Sequence, residues 1–67
     1  MVIELDVWRT ANVLIREHGE DAEIRAAQQA DALLVAGDFE GARVFKAIAK
    51  AVVELRRAKL AEGERTN

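Results

Sequence analysis

Two glycines, Gly19 and Gly37, each follow a stretch of apolar residues that recur at helical spacing. A helix commonly ends on a left-handed residue, and glycine adopts that conformation without the steric cost that a side chain imposes. The chain has no proline and is rich in alanine, which favours helices over strands. The sequence therefore predicts an all-α fold, a small three-helix bundle with helices at about 3–18, 20–36 and 39–60.

Acidic residues after each glycine support these boundaries. Asp38 follows Gly37, where its carboxylate can accept hydrogen bonds from the first free backbone N–H groups of the third helix. Glu20 and Asp21 follow Gly19, and we expect them in the first turn of the second helix, where the helix dipole favours negative charge. We expect a single helical domain over residues 1–61 and a frayed polar tail over 62–67.

Projection of each predicted helix at 100° per residue gives one apolar stripe per helix. We expect Trp8 to be the largest anchor of the core. The second stripe consists mostly of alanines, Ala27 among them, whose small side chains let neighbouring helices approach closely. The third stripe is the longest and ends at Ala58. The residues predicted to hold the fold are Trp8, Leu14, Ile15, Leu33, Leu34, Phe45, Ile48, Val52 and Leu55.

Two polar residues, Asn12 and Asp31, flank the stripes of the first and second helices. They could hydrogen-bond to each other and fix the register of the helix pair, as single polar residues do in coiled coils. Alternatively, both are solvated edge residues. The sequence leaves these two interpretations open.

The small size of the chain favours self-association. A chain of 67 residues buries a limited core, and one without cysteine has neither disulfides nor thiolate metal sites to stabilise it. We therefore expect a homodimer or a complex with an unidentified protein partner. The apolar residues outside the stripes are Val13, Ile24, Val35, Val53 and Leu60. Val53 and Leu60, on the outer side of the third helix, could form a second seam against another copy of the chain; alternatively, all five lie scattered on a monomer surface.

Charge is unevenly distributed along the chain. The formal net charge is −2, but residues 1–42 carry a net −6 and residues 43–67 a net +4. The outer side of the third helix combines basic residues at about one-turn spacing with two of the apolar residues outside the stripes. This candidate interaction surface consists of Arg43, Lys46, Lys50, Val53, Arg57 and Leu60.

The basic surface has two possible partners. The acidic first and second helices could pair with it, either within the chain or across a symmetric dimer. The other possibility is an anionic partner such as nucleic acid. The overall acidic charge and the lack of an aromatic residue expected at the surface count against nucleic acid.

Four short segments carry recognisable motifs: ELDVW at 4–8, HGEDA at 18–22, AGDFEG at 36–41 and FKAIA at 45–49. They resemble a family of short uncharacterised bacterial helical proteins, in which a tryptophan often stands where this chain has Phe45. The family has no established activity. The resemblance implies only that a set of residues matters together, namely His18, Gly19, Asp21, Gly37 and Asp38.

Few residues could support catalysis. His18 is the only histidine, and its place on the apolar face at the end of the first helix predicts a structural role, with a metal site shared with Glu17 and Asp21 as the less favoured alternative. Serine and cysteine are absent, and the four glycines do not cluster into a phosphate-binding loop. We therefore expect no enzyme, no cofactor and no bound metal. The residues expected to be structural are Trp8, His18, Gly19, Gly37, Asp38 and Phe45.

The expected function is protein–protein contact, and the alternative is a small nucleic-acid-associated regulator that uses the basic third helix. The longest apolar run, 32–36, is too short to span a membrane. The first residues lack the basic start of a signal peptide. We therefore expect a cytoplasmic protein without membrane contact.

Overall fold

The computed structural model describes the backbone of residues 4–65 and the side chains of residues 5–58. The elements are helix α1 at Glu4–His18, a 3-10 turn at Gly19–Asp21, helix α2 at Ala22–Val35 and helix α3 at Phe39–Arg65. Between residues 4 and 65 the chain forms no strand. The predicted all-α class is therefore confirmed.

Some predicted boundaries were wrong. The prediction that Glu20 and Asp21 lie in the first turn of α2 fails, because both belong to the 3-10 turn and the Asp21 side chain makes no capping hydrogen bond. Helix α3 continues to Arg65, five residues beyond its predicted end. The polar segment predicted to fray is helical as far as Arg65, and residues 1–3 and 66–67 lie outside the described part of the chain.

Both glycines end helices as predicted. Gly19 and Gly37 have positive φ angles of 57° and 85°, the left-handed region that favours glycine. At the second turn the amide of Gly37 donates to the carbonyl of Leu34 at 3.0 Å, and the amide of Asp38 donates to the carbonyl of Leu33 at 2.8 Å. These two bonds form a Schellman motif, which satisfies the last free carbonyls of α2.

Asp38 caps α3 as predicted. The backbone amide of Gly41 donates to Asp38 Oδ1 at 2.9 Å. A Cβ atom at position 41 would lie 2.5 Å from Asp38 Oδ2, so the glycine leaves room for the capping carboxylate. Hydrogen bonds therefore close both the end of α2 and the start of α3 at this connection.

Alanine dominates the core. Helix α3 packs against both other helices, most extensively against α2, while α1 and α2 contact each other least. Val52 is the largest side chain that is fully buried. Six of the eight buried residues are alanines, and the full set is Ala11, Ala22, Ala26, Ala30, Ala42, Ile48, Ala51 and Val52. Small side chains allow the helices to approach closely.

The predicted core residues lie on the inward sides of their helices, but most of them are less buried than predicted. Ile48 and Val52 are buried, whereas Trp8 is only half-buried although it packs against the core. Leu34 is 37% exposed, so its predicted core position was wrong. The other large predicted residues are half-buried like Trp8: Leu14, Ile15, Leu33, Phe45 and Leu55.

The remaining differences follow from the contacts of α3. Ala42 lies outside the predicted stripe yet is buried, because α3 is covered on two sides and its buried arc is wider than one stripe. Ala27 and Ala58 lie inside predicted stripes yet are exposed. The side of α2 that carries Ala27 and Leu34 stays open, because α1 covers α2 little.

The proposed hydrogen bond between Asn12 and Asp31 does not form. The Asn12 amide instead donates to the backbone carbonyl of Trp8 at 3.1 Å, one turn earlier in the same helix. Asp31 is exposed on α2. The register of α1 against α2 is therefore not fixed by this polar pair.

Candidate interaction surface

The basic residues of the candidate surface lie on the outer face of α3. Arg43, Lys46, Lys50 and Arg57 are exposed, and Val53 between them is half-buried. Because α3 is continuous over this stretch, residues three, four and seven apart share one side of the helix. The side chain of Leu60 lies outside the described residues, so its place on this surface stays a prediction.

An aromatic residue extends this surface, and the sequence interpretation missed it. Phe39 begins α3, is 67% exposed, and lies one turn before Arg43 on the same side of the helix. The expectation that no aromatic residue is exposed was therefore wrong. The spacing of four residues between Phe39 and Arg43 was a signal that could have revealed it.

The basic residues of α3 are not neutralised by the acidic helices. Within residues 5–58, the basic and acidic side chains that come within 4.0 Å of each other are His18 and Glu17, through Nε2 and Oε1, and they are chain neighbours at the end of α1. Arg56 Nη1 donates a hydrogen bond to the backbone carbonyl of Glu20 at 3.2 Å. Pairing of the basic helix with acidic residues inside the chain is therefore not observed among these side chains, and the charge asymmetry faces outward.

A shallow groove of about 370 Å³ runs between α1 and α3. Trp8 and Val7 form its α1 side, and Lys50 and Glu54 stand on its α3 side. The groove has an apolar floor completed by Ala47 and Ala51, and it offers one cation and one carboxylate. Such a groove suits an apolar side chain better than a small polar substrate, which needs several converging polar groups.

A second groove of about 320 Å³ lies over Phe45 and Leu14, with His18, Arg25, Gln28 and Gln29 around it. His18 is half-buried here, at the end of α1. In the described part of the chain, no three histidine, cysteine, aspartate or glutamate side chains come together as a metal site would require. His18 shares this groove with an aromatic and an aliphatic side chain, and the structural role predicted for it stays a prediction.

Large apolar side chains are spread over the outside of all three helices. Three of the predicted surface residues are exposed, Val13 at 43%, Ile24 at 56% and Val35 at 90%. Leu5, Leu34 and Phe39 are exposed as well. The described helices include none with the length and apolar character needed to cross a membrane.

The comparisons give no relative for this fold or sequence. No family model, no curated protein and no solved structure matches the chain. The resemblance of the four short motifs to bacterial helical proteins therefore stays a prediction.

Proposed function

We propose that this protein is a non-enzymatic interaction module, a three-helix bundle that associates with a second copy of itself in the cytoplasm. One observation carries the proposal. The fold buries mostly alanines, while six of its larger apolar side chains are exposed. Apolar side chains that folding leaves exposed gain about 25 cal/mol per Å² when a contact removes them from water, so these uncovered residues favour association.

The overall dimensions support the same proposal. The accessible surface is 5281 Å², whereas a compact folded chain of 7.4 kDa exposes about 4,200 Å². The radius of gyration is 12.9 Å, against about 11 Å for a compact domain of this length. The chain therefore exposes more surface than a compact domain of its length, and we propose that part of this surface contacts another molecule.

Symmetry restricts which surface can serve for self-association. In a two-fold dimer the same patch of both copies meets itself. The basic face of α3 would then place Arg43, Lys46 and Lys50 against their own copies, which like-charge repulsion disfavours. We therefore propose that this face lies outside the centre of the dimer interface and is available to an acidic partner.

The test of self-association is the molar mass in solution, measured by sedimentation equilibrium from about 10 μM to 1 mM. We expect the weight-average mass to rise with concentration from 7.4 kDa towards twice that value. Since apolar burial drives this association, it should persist in 0.5 M salt. A mass that stays at the monomer value over the whole range would overturn the proposal.

The exposed Phe39 specifically favours a second candidate, nucleic-acid binding by the basic face of α3. An aromatic side chain next to a row of cations is the combination that single strands use for stacking and phosphate contact. In a mobility-shift assay at low salt, the double variant Lys46→Glu/Lys50→Glu should abolish any complex with single-stranded or duplex DNA. The matched control is Arg9→Glu/Arg16→Glu, which reverses two exposed cations on α1. No complex with the unmodified protein at low salt would reject this candidate, because phosphate contacts are strongest there.

A further inference from the structure

The outer face of α2 carries two exposed apolar residues with two polar residues between them. Ile24 is 56% exposed and Val35 is 90% exposed, near the two ends of the helix. Gln28 and Asp31 lie between them and are exposed too. At 100° per residue, these four positions fall within an arc of about 60°, opposite the buried alanines that face α3.

We propose that this face of α2 pairs antiparallel with the same face of a second copy, around a two-fold axis between residues 29 and 30. This inference rests on the self-association proposed above and names its surface. In this register, Ile24 lies opposite Val35 of the second copy, and Gln28 lies opposite Asp31 of the second copy. Both matches occur twice, as two-fold symmetry requires.

In this register the paired side chains are also chemically complementary. At each end of the seam two aliphatic side chains meet, and near the axis the amide of Gln28 can donate a hydrogen bond to the carboxylate of Asp31. A parallel two-fold pair would instead place Asp31 against Asp31, which repels. The antiparallel arrangement avoids that direct match, because the two Asp31 residues are offset by about 4.5 Å along the seam and each has Gln28 of the second copy as a hydrogen-bond donor.

Small residues on both sides of the seam allow the helices to come close. Ala27 and Ala32 flank the four seam residues and are exposed. Helices with small side chains at the contact approach to about 8 Å between axes. Helix α2 has 14 residues and is therefore about 21 Å long, so the seam is at the small end of specific interfaces. We expect a dissociation constant in the range of about 10 μM to 1 mM.

The first test places a charge in the seam. Val35→Asp should raise the dissociation constant at least tenfold in sedimentation equilibrium, because it puts a carboxylate against Ile24 of the second copy. The matched control is Val13→Asp, the same change at an exposed position of α1, which should leave the dimer unchanged. Circular dichroism of both variants checks that the exposed substitutions preserve the fold.

The second test determines the register by disulfide formation. Because the chain has no native cysteine, any disulfide must join the introduced positions. When Ile24→Cys protein is mixed with Val35→Cys protein and oxidised, the mixed disulfide should form faster than either homodisulfide. In the proposed seam, two copies of the same substituted position lie about 16 Å apart, beyond the limit of about 7 Å between Cα atoms in a disulfide. Rapid formation of either homodisulfide would contradict the antiparallel register.

The failures of the two proposals are distinguishable. If the unmodified chain dimerises and Val35→Asp leaves the dimer intact, self-association stands and the α2 seam is overturned. If the unmodified chain stays monomeric to 1 mM, both are overturned. Loss of the dimer in Val35→Asp but not in Val13→Asp, together with the mixed disulfide, supports the seam.

Discussion

Replacing Val52 with aspartate is expected to leave the chain unfolded at 25 °C. Val52 is the largest fully buried side chain and lies in α3, the helix that contacts both others. The described core contains no buried polar residue that could pair with a carboxylate. An unpaired charge in such a site costs about 3–5 kcal/mol, in addition to the lost apolar contacts. A domain of this size has a total stability of only about 3–10 kcal/mol.

Far-UV circular dichroism and a thermal melt measure this effect. Val52→Asp should lose most of its helical signal and its cooperative transition. Val13→Asp introduces the same residue at a position that is 43% exposed, so it should melt within a few degrees of the unmodified protein. A cooperative melt of Val52→Asp at the unmodified temperature would show that the core is not where we place it.

The sequence could predict those helix ends that carry a local signal. Helix ends depend on local signals, and Gly37 with Asp38 carries a complete one, a left-handed glycine followed by a capping carboxylate. The end of α3 has no comparable signal, since Gly63 lies within the helix, and its predicted end was five residues short. Local chemistry therefore predicts a boundary only where a residue is required to stop the helix.

Depth of burial could not be predicted from periodicity alone. A stripe shows which side of a helix faces inward, but the width of the buried arc depends on how many neighbours cover the helix. Helix α3 has two neighbours, so Ala42 at the margin is buried. Helix α2 is covered mainly by α3 and little by α1, so Leu34 is partly exposed although it belongs to the apolar stripe. Trp8 is too large to fit between helices whose contact residues are alanines, and it lies at the edge of the core.

The sequence could predict that the basic residues of the candidate surface are exposed, but not whether acidic residues of the same chain pair with them. Lys46 and Lys50 lie opposite the apolar stripe of α3, and their exposure follows from that geometry. Whether the acidic helices neutralise them depends on distances between elements, which no sequence pattern contains. Phe39 was missed for a different reason. It is the first residue of α3, directly after the turn and one helical turn before the first cation of the basic face, Arg43.

The close approach of α2 and α3 depends on alanine, and two adjacent alanines allow a direct test. Ala26 is fully buried, whereas Ala27 is exposed. Leucine and alanine both favour helix, so the local backbone preference changes little. We expect Ala26→Leu to lower the free energy of unfolding by about 3 kcal/mol, because the added methyl groups force the helices apart. Ala27→Leu should change the free energy of unfolding by less than about 0.5 kcal/mol, because its side chain extends into solvent.

Urea unfolding at low micromolar concentration measures both variants, below the concentration at which the proposed dimer forms. The midpoint should fall for Ala26→Leu with little change in the slope, since the surface exposed on unfolding stays similar. Equal effects of the two substitutions would mean that α2 does not pack against α3 through its alanines. The expected unequal result would show that α2 packs on α3 through its alanine face. The larger side chains of Ile24 and Val35 lie on the opposite face of α2 and stay exposed, where a second copy can contact them.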